Sequence, residues 1–348
     1  VSGMPQLVDV LPNSRIDEQA LAAFMTEHLG GARTLDIHQF QGGQSNPTYH
    51  VRRGDAEYVL RKRPRGTLLP GAHAINREFA VQQALKDSDV PVAEMILFCE
   101  DESILGEAFY LMEHVPGRVF TDRLLGGCSV AERAAIYDSM NQVLAALHNI
   151  DFRSVGLEGF GRADTYVARQ VSRWSRNYRA SQVRDLPVMQ EVITWLEAHV
   201  PADDQTTIVH GDYRIGNLVF HPAEPRVVAV LDWELSTIGH PLADLAYNCL
   251  PWRLPTSTQR GFADEDFRAL GIPSEADYVE AYRRRRGGSL GGDWRYFLTF
   301  AMFRSAAILA GVYRRALDGN ASDARGLMVG QLFETIAHHA WETASDGE

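Results

Sequence analysis

Lysine is nearly missing from this 348-residue chain: of 34 basic side chains only Lys62 and Lys86 are lysines, so any chemistry that needs one has two candidates. Cysteine is scarce as well. Cys99, Cys128 and Cys249 are odd in number, far apart and without a C-x-x-C pair, which speaks against a disulfide framework or a zinc knuckle and for a reducing, cytoplasmic setting. No apolar run approaches the ~20 residues of a membrane span; "FLTFAMFRSAAILAGVY" is short, is broken by Arg304 and reads as a buried helix. The N-terminal "VSGMPQLVDVLPNSR" lacks the basic-then-apolar order of a signal peptide. An excess of positive charge is also absent, and a net charge of −11 argues against a general nucleic-acid binder. The expected partner is a small molecule, with no nucleic acid and no membrane.

What is present is the balance of an ordinary globular protein, 45% apolar and 23% charged, with length for about two domains. Helical spacing marks Asp17 to Leu29. "TLDIHQF", "TYHVRRG" and "EYVLRKR" then read as a β-meander, "INREFAVQQALKDS" as a helix, and "ILFCEDES" and "AFYLMEHV" complete about five strands. Beyond Pro116-Gly117 the pattern turns helical: "AERAAIYDSMNQVLAALHNI", "TYVARQVSRWSRNYRAS" and "VMQEVITWLEAHV". One hairpin, "NLVFH" with "VVAVLDW", interrupts it before helices resume at Leu242. The expectation is an α+β chain of two lobes, a β-rich lobe over 1–115 and a mostly helical one over 116–348.

"IVHGDYRIGNLVF" breaks a strand-like pattern with a polar insert that puts Asp212 and Asn217 on one loop. Asp232 ends the apolar run "VVAVLD" twenty positions after Asp212. Two carboxylates and an amide oxygen suit Mg²⁺, a hard cation that keeps its other positions for water and phosphate, and a remaining carboxylate can orient a hydroxyl. Alone, Asp-x4-Asn is also an ordinary turn pattern.

"HGDYRIGN" followed by "LDWE" resembles the catalytic loop and metal-binding segment of the aminoglycoside phosphotransferase and choline kinase family, which has the bilobal protein-kinase-like fold. The resemblance runs from about Phe40 to the C-terminal helices. It implies ATP as donor, Asp212 as catalytic base, Asn217 and Asp232 as Mg²⁺ ligands, and Arg214 as a charge neutraliser near the transferred phosphate, with His210 bracing the loop. It also implies a nucleotide-covering loop at "QGGQSNPTYHV", where Gly42 and Gly43 let backbone amides approach phosphates and Ser45 and Asn46 add polar contacts. The next strand should supply a cation for the phosphates. Family register favours Arg61, with Lys62 on the opposite face as the alternative. Glu78 would pair with that cation, though without the family it reads as an exposed helix residue. Backbone groups from Glu113 to Val115 would meet the adenine edge, and Asp244 would support the catalytic loop.

Three segments, "LRKRPRGTLLPGAHAINREF", "ARQVSRWSRNYRAS" and "VLDWELSTIGHPLADLAYN", look like the kinase-like domain associated with acyl-CoA dehydrogenases. That resemblance implies hydroxylated acyl-CoA thioesters as acceptors, against aminoglycosides, choline or homoserine elsewhere in the family. Arg169, Arg173, Arg176 and Arg179 are candidate anion contacts or simply a solvated helix face, and "RRRRGG" from Arg283 reads as a solvated helix end. A non-catalytic nucleotide-binding pseudokinase is the other class. "GGSLG" at Gly287 to Gly291 formally matches a nucleophile elbow but lacks the preceding apolar strand, and His338-His339 has no companion ligands.

Overall fold

The computed structural model describes residues 7–31, 34–41, 46–64, 74–203, 205–318 and 326–346. Gly42, Gly43 and Ser45 lie outside them. The chain forms two compact units. The first gathers Val1–Thr121 with Gly216–Ser236, the second Asp122–Ile215 with Thr237–Glu348.

The first unit is built on six antiparallel strands, β1 (Leu7–Val8), β2 (Asp36–Phe40), β3 (Thr48–Arg53), β4 (Ala56–Lys62), β5 (Met95–Cys99) and β6 (Phe109–Glu113). Their order is β1-β2-β3-β4-β6-β5. The meander expected from sequence holds through β4, but β6 then inserts ahead of β5. The two-residue β1 was too short to show any alternation.

Alternation along β3 and β4 sorts the sheet into two faces. Tyr49, Val51 and Leu60 pack with Leu21 and Met25 of helix α1 (Glu18–Leu29), which starts at an Asp17 cap whose carboxylate accepts the Ala20 N–H at 2.9 Å. On the other face Val59, Tyr110 and Met112 pack with Ile75 of α2 (Ile75–Leu85). Lys62 has the parity of Leu60 and turns to the α1 face, towards α3 (Glu102–Leu105), where it is buried with its ammonium 3.4 Å from Leu105 O.

The hairpin Leu218–Phe220 with Val227–Val230 belongs to this unit. Arg118 and Phe220 exchange backbone hydrogen bonds at 2.8 Å, and Val230 N donates to Pro91 O at 2.9 Å. The approach at Pro116-Gly117 requires a glycine, since a Cβ on Gly117 would meet Phe220 O at 2.4 Å.

The second unit is helical: α4 (Val130–Asn149), α5 (Tyr166–Ser181), α6 (Pro187–Ala198), α7 (Pro241–Arg253), α8 (Glu275–Arg286), α9 (Trp294–Leu317), α10 (Gly326–Gln331) and α11 (Phe333–Ser345). A further two-stranded pair joins Thr207–Val209, whose Ile208-Val209 already reads as strand-like, to Thr237–Gly239, which lies about thirty residues on and carries no strand pattern of its own. Helix α9 corrects one expectation. At 24 residues it is long and apolar enough by composition to cross a membrane, yet 83% of its apolar window is buried against the other helices, as befits a core helix. The "RRRR" end of α8 is also less solvated than expected: Arg285 bonds Asn141 and Asp138 at 2.7 Å each, and Arg286 donates to His148 O. On α5, Arg173, Arg176 and Arg179 are exposed while Val167, Val171 and Tyr178 face inward, so that basic face is a solvated one.

Candidate active site

In the first unit the candidate residues converge on Arg61. Its register opposite Thr48 and Tyr110 turns it to the α2 face of the sheet. There Nε lies 3.1 Å from Glu78 Oε2, Nη2 lies 2.7 Å from Asp232 Oδ1, and Glu234 is 4.0 Å away. The Glu78 contact is an ion pair off the hydrogen-bond axis, so this buried Nε makes no hydrogen bond among the described residues. Glu78 is fully buried, bonded by Asn46 Nδ2 at 2.8 Å and by Tyr110 Oη at 3.0 Å. An apparently exposed helix residue is thus the inner anchor of the arginine.

Three carboxylates around one guanidinium leave excess negative charge. Burial pushes Glu78 up to about 7; Arg61 opposes this, and Asp232 and Glu234 add to it. Burial also works against the charge on Arg61, but Tyr110, Glu78 and Asp232 outweigh it and raise its pKa. A consequence follows for stability. From about pH 4.5 to 7 the folded chain keeps a proton on Glu78 that the unfolded chain has lost, so this contribution is full below pH 4.5 and disappears as pH rises through 7. Urea midpoints taken from pH 5 to 8 should fall with rising pH in the parent protein. In Glu78→Gln that fall should flatten; an unchanged slope would contradict the shift.

Asp232 has φ +66° and ψ +61°, the left-handed region that a non-glycine residue seldom occupies and that Asp tolerates better than most. The hairpin explains its position. Leu218 pairs with Val230, and Leu231 N donates to Asn217 O at 2.8 Å, so Asn217 and Asp232 leave the same end of the hairpin. Both offer hard oxygens, and the surplus of carboxylates over cations beside them is what a divalent ion would offset, so the donor set fits Mg²⁺. Glu113 ends β6 with its N–H bonded to Glu94 O at 2.9 Å, and Val115 packs beside Val59 and Met112 on the same sheet face as Arg61.

Asp212 and Arg214 sit in the second unit, on the loop that leaves Thr207–Val209. The loop turns at Gly211, whose φ of +85° favours glycine. Asp244, in the first turn of α7, accepts His210 N–H at 2.5 Å and Gly211 N–H at 2.8 Å, and lies 3.4 Å from His148 Nε2. Its burial favours the neutral acid, but His148, His210 and the Gly211 N–H prevail and keep it below the usual carboxylate range. Burial lowers the pKa of His148, which fits a neutral ring donating from Nε2 to Asp244 while Nδ1 accepts from Tyr282 Oη at 2.6 Å. His210 accepts the Asp212 N–H at Nδ1, 3.1 Å away, a bracing role. From α9, Arg304 donates to Gly211 O and lies over the rings of Tyr247 and Trp174, 5.0 and 5.5 Å from their centroids. Asn248 Nδ2 adds a bond to Tyr213 O at 3.3 Å.

These partners decide the state of Asp212. Burial would raise its pKa, yet Arg214, the Tyr247 hydroxyl, His210 and Arg304 together hold it below the usual value. Arg214 Nε is 3.1 Å from Asp212 Oδ2. The carboxylate is therefore ionised at neutral pH and able to accept a proton. Sequence reasoning passed over Arg304, Tyr247 and His148; the available signal for Arg304 was a lone cation inside an apolar helix.

The model of the phosphotransferase enzyme family matches residues 36–287. Among curated relatives, mouse acyl-CoA dehydrogenase family member 10 is 45% identical over 347 residues and human member 11 is 43% identical over 347. These alignments cover 99% and 97% of this chain but 32% and 44% of the relatives, so the chain spans less than half of either protein. A crystal structure from Ralstonia eutropha JMP134, described as a candidate aminoglycoside phosphotransferase, is 47% identical with a TM-score of 0.88, covering 96% of this chain and 100% of that one. The aminoglycoside phosphotransferase APH(4)-Ia, solved with AMP-PNP and hygromycin B, shares the fold at 18% identity and a TM-score of 0.61, over 94% of this chain and 99% of its own. The α+β fold is that of these kinase-like proteins, which supports small-molecule kinase activity, and the chain belongs to the phosphotransferase enzyme family.

Proposed function

We propose that the chain is an ATP- and Mg²⁺-dependent phosphotransferase acting on a hydroxyl of a small molecule, with a hydroxylated acyl-CoA as the acceptor class. The observation that carries the reading is Asp212, a partly buried carboxylate held ionised by Arg214, Tyr247, His210 and Arg304. In that state it orients the acceptor hydroxyl and takes its proton as the new phosphate ester forms. Arg214 steadies the carboxylate and lends positive charge to the transferred phosphoryl group. On the first unit, Arg61, anchored by Glu78, serves the nucleotide phosphates, while Asn217 and Asp232 would hold Mg²⁺. When bound, the ion neutralises phosphate charge. Nucleotide use is supported by neighbours of this fold solved with AMP-PNP or ADP. The acyl-CoA acceptor is supported by similarity, over 97–99% of this chain but 32–44% of the relatives, to proteins named for acyl-CoA dehydrogenation.

The test is ADP release from Mg-ATP against 4-hydroxyacyl-CoAs, choline, homoserine and an aminoglycoside. Turnover confined to the hydroxyacyl-CoAs is expected. Turnover confined to a cationic acceptor would replace the acceptor class, and Mg-ATP binding without turnover on any would favour a pseudokinase. Asp232→Asn is a milder probe: Asn also tolerates the left-handed backbone, so the fold should persist while the Mg²⁺ concentration for half-maximal rate rises about tenfold or more.

A further inference from the structure

The second unit contains a cavity of about 30 Å³ lined by Arg123, Arg214 and Arg260, with Tyr137, Tyr247 and Met140 completing much of its wall. By size it holds about two waters or one small oxyanion, and not a sugar ring. It adjoins Asp212 through two shared residues, since Arg214 pairs with that carboxylate and Tyr247 hydrogen-bonds to it.

The charges around the cavity are one-sided. Arg214 has Asp212 as a counterion, but no carboxylate lies within ion-pair distance of Arg123 or Arg260 among the described residues. Arg123 spends Nη1 on Gln259 O at 2.7 Å, and the Arg260 side chain makes no hydrogen bond or ion pair among the described residues. Burial, then Arg260 and Arg214, push Arg123 down to about 10, the mark of a cation in a site already rich in positive charge. Such an arrangement destabilises the empty protein and is relieved by an anion.

We infer that Arg123 and Arg260, with Arg214, form an oxyanion subsite that holds a phosphate or carboxylate group of the acceptor substrate next to the Asp212 base. The inference rests on the phosphotransferase reading for the word acceptor, but the subsite itself can be tested without turnover. It commits the acceptor to an anionic group able to reach this cavity while its hydroxyl lies at Asp212. Cationic acceptors such as choline or an aminoglycoside would be repelled by the same three arginines.

The experiment is calorimetric titration of the nucleotide-free protein with inorganic phosphate, acetate, coenzyme A and kanamycin, in the parent chain and in Arg123→Gln and Arg260→Gln. The parent should bind phosphate or acetate and not kanamycin. Each variant should weaken that binding about tenfold or more while its affinity for Mg-ATP stays within about twofold. Arg260→Gln is the safeguard against misfolding, because its side chain makes no hydrogen bond or ion pair among the described residues, and matched melting temperatures certify it. Coenzyme A separates the sources: binding that is lost in the variants places a phosphate of the thioester carrier in the subsite, whereas arginine-dependent binding of the small anions alone places a group of the acyl portion there. Anion binding unaffected by either substitution, or no binding of any anion, would overturn the subsite. Arginine-dependent anion binding without phosphoryl transfer would retain the subsite and remove the kinase reading.

Discussion

Asp212→Asn should lower kcat by a factor of about 10² to 10⁴, the usual worth of a positioned general base, and leave the melting temperature nearly unchanged. The amide is almost isosteric with the carboxylate and can still accept from Tyr247 and Arg214, so packing and hydrogen bonding survive. What it cannot do is take the acceptor's proton. Because Asp212 is held below the usual carboxylate range, protonation of this base should contribute no loss of rate between pH 8 and about pH 5. Circular dichroism melts and steady-state rates on the same preparations check both halves. A variant that unfolds would recast Asp212 as structural, and one that retains activity would remove it from the chemistry.

Asp244→Ala should be the most destabilising of these substitutions, by about 3–5 kcal/mol, as is usual when one partner of a buried charged network is deleted. Among the described residues Asp244 accepts the N–H groups of both His210 and Gly211. Removing it takes that carboxylate from two buried backbone donors at a turn that glycine already makes with positive φ. Activity should fall together with stability, since the loop that presents Asp212 loses its brace. Asp244→Asn keeps one oxygen and should cost less, about 1–3 kcal/mol. Urea unfolding of the two variants should rank them in that order, and equal midpoints would mean that Asp244 does not hold the loop.

The sites differ in how far the sequence disclosed them. Asp212, Asn217 and Asp232 stand within two short stretches, so their types and spacing were legible along the chain. The role of Glu78 was not, because an acidic residue on an amphipathic helix looks exposed until the sheet, Asn46 and Tyr110 close around it. The choice between Arg61 and Lys62 depends on strand parity. Alternation narrowed it to two opposite faces, and packing sends Lys62 to Leu105. Arg123 and Arg260 carry no local signal, being separated by 136 residues and meeting only when the helices fold. The same limit applies to the sheet. Strands β2, β3 and β4 could be read from alternation and Gly-containing turns, whereas the placing of β6 between β4 and β5, and of Gly216–Ser236 with the first unit, depends on contacts across long stretches of chain.

The most direct test of the account is calorimetric titration of Mg-ATP into the parent protein, Asp212→Asn and Asp232→Ala side by side. In the proposed division of roles, nucleotide and metal fall to Arg61, Asn217 and Asp232, and proton transfer to Asp212. Near-parental Mg-ATP affinity is therefore expected in Asp212→Asn, and an affinity weakened about tenfold or more in Asp232→Ala. Equal affinities in all three proteins, or no Mg-ATP binding by the parent, would contradict it.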